Sequence, residues 1–299
     1  MAETLKKGSL FPPEIVKDLL NKVAGHSSIA KLAATMPVAF NGNEIFTFSM
    51  DDEVNIVAEG GKKEAGSVAI NTIQIVPIKI EYGARVTDEF MYASEEKQLD
   101  ILKAFNEGYA MKVARGIDIM AMHGVNPRTK TASTLIGTNS FDTNTDITTI
   151  KYDELKIEEN IESAIAAVSE AYDVNGMCMA KAFSQALASL TVNGVRQYPE
   201  CAWGANPESI HGLKTDVNST VSFNSSPDMA IVGDFQKGFK WGYAKQIPLE
   251  VIPYGDPDQS GEDLKAHNQV YLRAETYVGF AILDPLAFAK IAKESTSEV

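Results

Sequence analysis

The sequence predicts an α+β fold with an N-terminal arm, an extended β-hairpin, one long helix and a mixed α/β domain. Three observations carry that prediction. From Ser94 to His123, apolar residues recur three or four apart at Leu99, Leu102, Phe105, Tyr109, Val113, Ile117 and Met120, one stripe of a 3.6-residue helix. Between Asn43 and Met91 the apolar residues alternate instead, as half-buried strands require. Beyond position 150, amphipathic helical stretches alternate with short apolar runs, the order of a mixed α/β domain.

Residues 1–35 form the arm. Pro12 and Pro13 can open a helix whose apolar face is Ile15, Val16, Leu19, Leu20 and Val23, and Gly25 ends it. A second short helix starts at Ser27 or Ser28 with Ile29, Leu32 and Ala33 inward. An amphipathic arm outside the main body docks on its own body or on a neighbour, and the sequence leaves both open.

In the β-rich part, Phe46, Phe48 and Met50 alternate with polar residues, and an acidic turn follows at Asp51, Asp52 and Glu53. From Val76 to Val86 the even positions Val76, Ile78, Ile80, Tyr82, Ala84 and Val86 oppose Lys79, Glu81 and Arg85, which predicts a strand with one buried face. Between these strands EGGKKEAGS (Glu59–Ser67) reads as the tip of a long hairpin. Two such strands cannot build a core, and an isolated ribbon is marginal in water, so the hairpin needs a partner surface.

Ser94, Glu95 and Glu96 favour the start of the long helix: the hydroxyl can accept an orphan backbone N–H, and the carboxylates suit the positive end of the dipole. Gly124 and Pro127 close it. The helix would be about 45 Å long. Gly108 and Gly116 inside it cost about 1 kcal/mol each relative to Ala, which predicts a bend or a close backbone contact.

Asn126–Thr149, rich in Thr, Asn and Ser, is irregular surface or an additional hairpin. Ile157, Ile161, Ala164, Ile165, Val168 and Tyr172 mark a second helix. Gly176–Ala180 is a buried strand, and Lys181–Leu190 is a third helix with Phe183, Leu187 and Leu190 inward. Met229–Phe235 and Leu249–Pro253 are strands, Pro253–Asp263 is a loop, and Gln269–Asp284 is a long strand or strand pair. Pro285–Ile291 is expected to be a short helix, and Lys293–Val299 a frayed tail.

The bulk numbers narrow the class without naming a function. With 299 residues, 44% hydrophobic and 22% charged, the chain is a soluble globular protein with a sizeable core. It has no apolar run long enough for a membrane span and no secretory leader pattern. Two cysteines, Cys178 and Cys201, argue against a disulfide framework and fit a reducing cytoplasm. A net charge of −13 makes sequence-wide attraction to nucleic acid unfavourable, although an acidic wall can enclose nucleic acid without trapping it.

Asp256, Asp258, Ser260 and Gly261 match the opening of a calcium loop, D-x-D-x-S-G. Position twelve is His267 rather than the bidentate Glu such a loop needs, so an acidic surface turn is expected. Cys201 and His211 lie in no nucleophile–base motif. His26, His123 and His267 read as helix-end or loop residues, and Met111, Met120 and Met122 as gap-filling packing. With no P-loop, Rossmann fingerprint or GxSxG, the sequence predicts no enzyme, no cofactor and no metal.

The C-terminal third carries the most specific pattern. AIVGDFQKGFKWGYAKQIPLEVIPYG, an acidic loop and NQVYLRAETYVGFAILDPLAFAKI contain Gly233-Asp234-Phe235, Leu249-Glu250-Val251, Asn268 to Glu275, and Pro285 to Phe288 in that order. This resembles the major capsid proteins of tailed bacteriophages with the Hong Kong 97-type fold; Tyr277 stands where that family carries a basic residue.

The resemblance spans essentially the full chain. It implies an arm at 1–35, an extended loop with flanking strands at 36–90, a peripheral domain at 91–149 and 265–299 with the long helix as its spine, and an apical domain at 150–264. It further implies a shell subunit forming pentamers and hexamers around double-stranded DNA, with a portal and a separate scaffolding protein, located in the virion after assembly in the host bacterial cytoplasm. The implied neighbour contacts are the hairpin tip (Gly60, Gly61, Lys62, Lys63, Glu64), the arm (Phe11, Ile15, Leu19) and the WGANPESIHG loop with Trp203 and Asn206. Some relatives cross-link a Lys to an Asn; Lys62 and Lys63 are available, but no Asn–Glu partner can be assigned, so inter-subunit ion pairing is expected. Two other readings remain: an encapsulin-type compartment, and an α/β enzyme with a β-ribbon oligomerisation arm.

Overall fold

The computed structural model describes residues 26–50, 54–169 and 172–294. In chain order, a short helix α1 (Ser28–Leu32) and strand β1 (Ala34–Thr35) precede a hairpin of β2 (Asn43–Met50) and β3 (Val68–Ile75). Strand β4 (Ile78–Thr87), the helical turn α2 (Glu89–Tyr92) and the long helix α3 (Glu95–His123) follow. Next come β5 (Thr148–Lys151), α4 (Ile157–Ser169), β6 (Gly176–Met179), α5 (Lys181–Ser189), β7 (Thr191–Val192), β8 (Val195–Arg196), β9 (Ser209–Ile210) and β10 (Leu213–Val217). The chain closes with β11 (Asp228–Gly233), β12 (Phe239–Ile252), β13 (Gln269–Ile282) and β14 (Phe288–Ala292).

Two sheets organise these elements. The first has strand order β1-β12-β13-β4, and the second β5-β14-β11-β6-β10-β9. Helix α3 covers the first: Leu102, Tyr109, Val113, Ile117 and Met120 are buried in one cluster with Phe239, Trp241, Leu272, Val278 and Phe280. The Tyr109 hydroxyl, buried among them, pairs with Thr276 Oγ1 at 2.9 Å. Helices α4 and α5 pack on the second sheet through Ile157, Ala164, Val168, Phe183 and Leu187. Every residue of β6 and β11 is buried, as central strands covered on both faces require.

An aromatic cluster joins the two layers. Phe141 meets Phe288 edge-on at 5.0 Å and stacks on Phe239 at 5.8 Å, and Phe235 meets Phe288 at 5.2 Å. Each such pair adds about 1 kcal/mol beyond its buried area. The Gly233-Asp234-Phe235 and Pro285–Phe288 motifs therefore meet in space. A Cβ at Gly233 would lie 2.3 Å from the Ala287 carbonyl, so no larger residue fits there. The buried Asp234 accepts from the Asn175 amide and from the backbone N–H groups of Gln236 (3.1 Å) and Lys237 (3.0 Å), fixing the turn after β11.

Several sequence expectations need correction. The hairpin returns through Val68–Ile75, not through Val76–Val86: Pro77 breaks the run, and Ile78–Thr87 leaves the hairpin to pair with β13. Pro285–Ile291 is not a helix, since only Pro285–Ala287 form a 3-10 turn and Phe288–Ala292 is a strand between β11 and β5. The strand read at Leu249 begins ten residues earlier, at Phe239. Strand β12, within 150–264, thus belongs to the sheet under α3, and β14, within 265–299, belongs to the other.

Helix α3 ends as expected, with Gly124 left-handed (φ 66°) and its N–H bonded to the Met120 carbonyl at 3.0 Å. Ser94 makes no side-chain cap bond. A Cβ at Gly108 would meet nothing within 4 Å, and one at Gly116 only Pro127 at an ordinary 3.8 Å, so neither glycine serves a close contact among the described residues. Met111 is not core packing but 49% exposed. The expected acidic turn at Asp51–Glu53 and the tail beyond Glu294 lie outside the described residues.

Candidate interaction surfaces and the junction that orients them

Among the described residues the β2–β3 hairpin is anchored only at its base. There Ile75 is fully buried with Val38 and Ala281, and Ile45 and Ile73 pack beside them. Further out, the register pairs Phe46 with Thr72 and places Phe46, Val68 and Ile70 on one face, 67%, 52% and 63% exposed. At the far end a turn forms where the Gly61 N–H donates to the Ala58 carbonyl at 2.8 Å and Gly60 takes φ 76°. Lys62, Lys63 and Glu64 follow, all exposed. The five tip residues named from sequence thus sit together.

Trp203 and Asn206 share a loop but differ in role. Trp203 is 97% exposed and held at φ 61°, while Cys201 and Ala202 beside it are buried and pin the loop. Asn206, though also exposed, is engaged within the chain: its amide donates to Asp216 at 3.0 Å, and its carbonyl accepts from the Val217 N–H at 2.8 Å. Nearby in sequence is a feature the sequence reading missed. Asn193 (φ 52°) and Gly194 (φ 80°) turn the β7–β8 hairpin and expose Val192 and Val195; the Asn-Gly pair was the available signal. Phe11, Ile15 and Leu19 lie outside the described residues.

The junction that orients these surfaces centres on Asp118, which sequence reasoning also missed. Five donors converge on its buried carboxylate. They are the hydroxyls of Ser27 (2.5 Å) and Thr220 (3.0 Å), the Asn218 amide (3.1 Å), and the backbone N–H groups of Ser28 (3.0 Å) and Ile29 (3.1 Å). Burial pushes its pKa up to about 6 even so. Ser27 itself caps α1 by accepting from the Ala30 N–H. On the other side of α1, Asp216 accepts from Ser28 Oγ at 2.6 Å and Lys31 Nζ at 2.9 Å. The point where the arm enters the body is therefore tied to both α3 and β10.

A second polar cluster closes the C-terminal end of α3. His123 faces Asp142 through Nδ1 at 2.6 Å and the Thr220 carbonyl through Nε2 at 2.8 Å. A carbonyl only accepts, so Nε2 carries a proton. Burial opposes a second proton, but Asp142 outweighs it and raises the His123 pKa. Lys290 Nζ lies 2.5 Å from Asp142 and 3.3 Å from the buried Asp228. Against the cost of burial, His123 and Lys290 hold Asp142 well below the usual carboxylate range, whereas burial and the Asp142 charge push Asp228 up to about 6. The His123, Asp142 and Asp228 ligand atoms lie within 4.8 Å of one another, a spacing that suits a cation, and the Lys290 ammonium faces both carboxylates.

The acidic loop also encloses a cation from the chain itself. The Arg85 guanidinium donates to Asp256 (2.9 Å), Asp258 (2.6 Å), Ser260 (2.5 Å) and the Glu262 carbonyl (2.9 Å). These bonds hold the Asp258 carboxyl well below its ordinary range. Cys178 and Cys201 are unpaired and buried, and His211 packs edge-on against Tyr198 at 5.4 Å. Among the described residues no helix is long and apolar enough to cross a membrane.

A family model described as the phage capsid family matches residues 7–293. A solved structure from Mycobacterium phage Ogopogo is similar at TM-score 0.75 and 26% identity, over 90% of this chain and 92% of that one. One from Gordonia phage Cozz gives TM-score 0.74 and 24% identity, covering 90% and 87%. The capsid of a native GTA particle computed with C5 symmetry shares the fold at TM-score 0.62 and 14% identity, covering 98% and 94%. No curated protein matches the sequence.

Proposed function

The chain belongs to the phage capsid family and has the Hong Kong 97-like fold of a major capsid protein that forms the shell of the virion, and we propose how its surfaces build that shell. The β2–β3 hairpin carries the proposal, because among the described residues nothing covers its exposed apolar face. Such a ribbon gains about 1.5–3 kcal/mol for each large apolar side chain a neighbour covers. Gly60, Gly61, Lys62, Lys63 and Glu64 end the ribbon on that neighbour, where the two lysines pair with carboxylates rather than cross-linking.

Trp203, its loop ordered through Asn206, is a second contact, and the arm with Phe11, Ile15 and Leu19 is a third. Each contact is weak alone; closed symmetry into pentamers and hexamers makes the sum large. In this reading 1–35 is the arm, 36–90 the hairpin unit, 91–149 with 265–299 the peripheral domain and 150–264 the apical domain. The work of the chain is self-association rather than catalysis. The shell encloses double-stranded DNA without sequence-specific contacts, and assembly takes place in the host bacterial cytoplasm with a portal and a separate scaffolding protein.

Deleting Gly60–Glu64 tests the reading. The truncated subunit should fold, with unchanged circular dichroism, and assemble poorly; normal shells from it would contradict the proposal. Complete, uniform shells from the chain expressed alone would contradict a required scaffold.

A further inference from the structure

The polar cluster at the C-terminal end of α3 has the parts of a transition-metal site. His123, Asp142 and Asp228 are the one group among the described residues whose ligand atoms all lie within 4.8 Å of one another. They come from the end of α3, the loop before β5 and the start of β11, so no spacing motif announces them in the sequence.

Each ligand atom is aimed and held. His123 donates its Nε2 proton to the Thr220 carbonyl at 2.8 Å, which turns Nδ1 toward the carboxylates. A carbonyl behind the far nitrogen is the usual support of a metal-binding imidazole, because it fixes the ring and raises the basicity of the near nitrogen. Nδ1 addresses the Oδ2 atoms of Asp142 at 2.6 Å and Asp228 at 3.8 Å. Lys290 Nζ addresses the other edge of the same pair, Asp142 Oδ1 at 2.5 Å and Asp228 Oδ1 at 3.3 Å. The ammonium thus orients both carboxylates without occupying the edge that faces His123. Ser226 Oγ donates to Asp228 Oδ2 at 2.9 Å and steadies that ligand in turn.

A second observation points to a ligand at the same place. Asp228 is 1% exposed, yet its Oδ1 receives no hydrogen bond from the described residues. Buried carboxylate oxygens are ordinarily satisfied, and Lys290 meets this one as an ion pair only. A cation on Asp228 would complete it. The Asp142 side chain is partly exposed and gives solvent a way in, while His123 and Asp228 form the buried floor.

We infer that His123 Nδ1, Asp142 and Asp228 bind a divalent transition-metal cation, best zinc, which braces the end of α3 against strand β11 of the second sheet. One imidazole nitrogen with two carboxylates suits zinc and leaves a fourth position to water. Calcium and magnesium prefer sets of oxygen ligands. On binding, the proton that His123 Nδ1 holds against Asp142 leaves to solvent and the cation takes its place. The 2.6 Å contact then opens to the roughly 3.3 Å that two ligands of one tetrahedral zinc keep. This brace belongs to the folded subunit, so its failure would leave the hairpin-based reading of the shell intact.

Zinc added to the metal-stripped full-length chain tests it. The parent should retain one zinc per chain after gel filtration, counted by elemental mass spectrometry. Its melting temperature should rise by about 5 °C with free zinc a hundredfold above the dissociation constant. His123→Gln and Asp142→Ala should lose both effects. Asp142 lies at the open edge of the cluster and its removal relieves a like charge beside Asp228, so Asp142→Ala keeps the fold if His123→Gln does not. His267→Gln, beside the acidic loop, should keep both effects. No retained zinc or no shift in the parent would overturn the inference. So would an equal response to magnesium or calcium, or a zinc response that survives in a folded His123→Gln or Asp142→Ala chain.

Discussion

Ser27 and Asp118, 91 positions apart in sequence, meet across 2.5 Å. That contact lets a carboxylate in the long helix hold the capping residue of the short helix through which the arm enters the body. Replacing Asp118 by Ala leaves two hydroxyls, an amide and two backbone N–H groups without their acceptor, a loss of about 3 kcal/mol. Ser27→Ala should cost about 1 kcal/mol. Urea titrations measure both.

The same carboxylate gives a pH dependence with a definite sign. Its folded pKa of about 6 lies above the ordinary 3.8, so the folded chain binds that proton more tightly than the unfolded one. The corresponding stability is present below about pH 4 and is lost as pH rises through 6, about 3 kcal/mol in all. Asp118→Asn cannot titrate. Relative to that variant, the parent should lose stability between pH 4 and 7; parallel curves would contradict the assignment.

Lys290 lies between two carboxylates, one of them buried. Lys290→Met should destabilise the subunit by about 3 kcal/mol at neutral pH, because Asp142 and Asp228 then repel with only His123 to offset them. The raised His123 pKa means its contribution is full below about pH 6.5 and fades as pH rises through the folded value. The variant's deficit should therefore widen in alkali, which thermal melts across pH would show.

Arg85 is the cation of the acidic loop. Both Arg85→Ala and Arg85→Lys should speed amide hydrogen exchange across residues 256–263 while leaving β13 protected. An ammonium cannot supply the forked set of bonds a guanidinium gives, so Lys should not rescue. Full protection in the Lys variant would show that charge alone orders the loop.

Trp203 is exposed in a left-handed conformation that glycine adopts freely. Trp203→Gly should therefore leave the subunit's melting temperature level or slightly higher, while raising the concentration needed for assembly about tenfold. Sedimentation of assembly mixtures over a concentration series measures the second effect.

How much of this was legible in the sequence varied with the strength of each period. Helix α3, with five buried residues in one register, and the largely apolar strands β6 and β11 were plain. The terminal FAKIA segment was not: Phe288 and Ile291 satisfy helical spacing as well as a five-residue strand does, and only its place between β11 and β5 decides. The hairpin's return leg was masked because the apolar run continues past Pro77 into a different sheet. Asp118 looked like an ordinary polar position, although Ile117 and Ile119 on either side were a hint that the helix is buried all round there. Donors from α1 and from the segment at 218–220 become neighbours only in the fold.

The most direct measurement is negative-stain microscopy of the purified full-length chain beside its elution from a sizing column. Shells, or rings of five and six subunits, are the predicted result, with the Gly60–Glu64 deletion shifted toward free subunits. A small discrete oligomer that persists at high concentration would contradict the account.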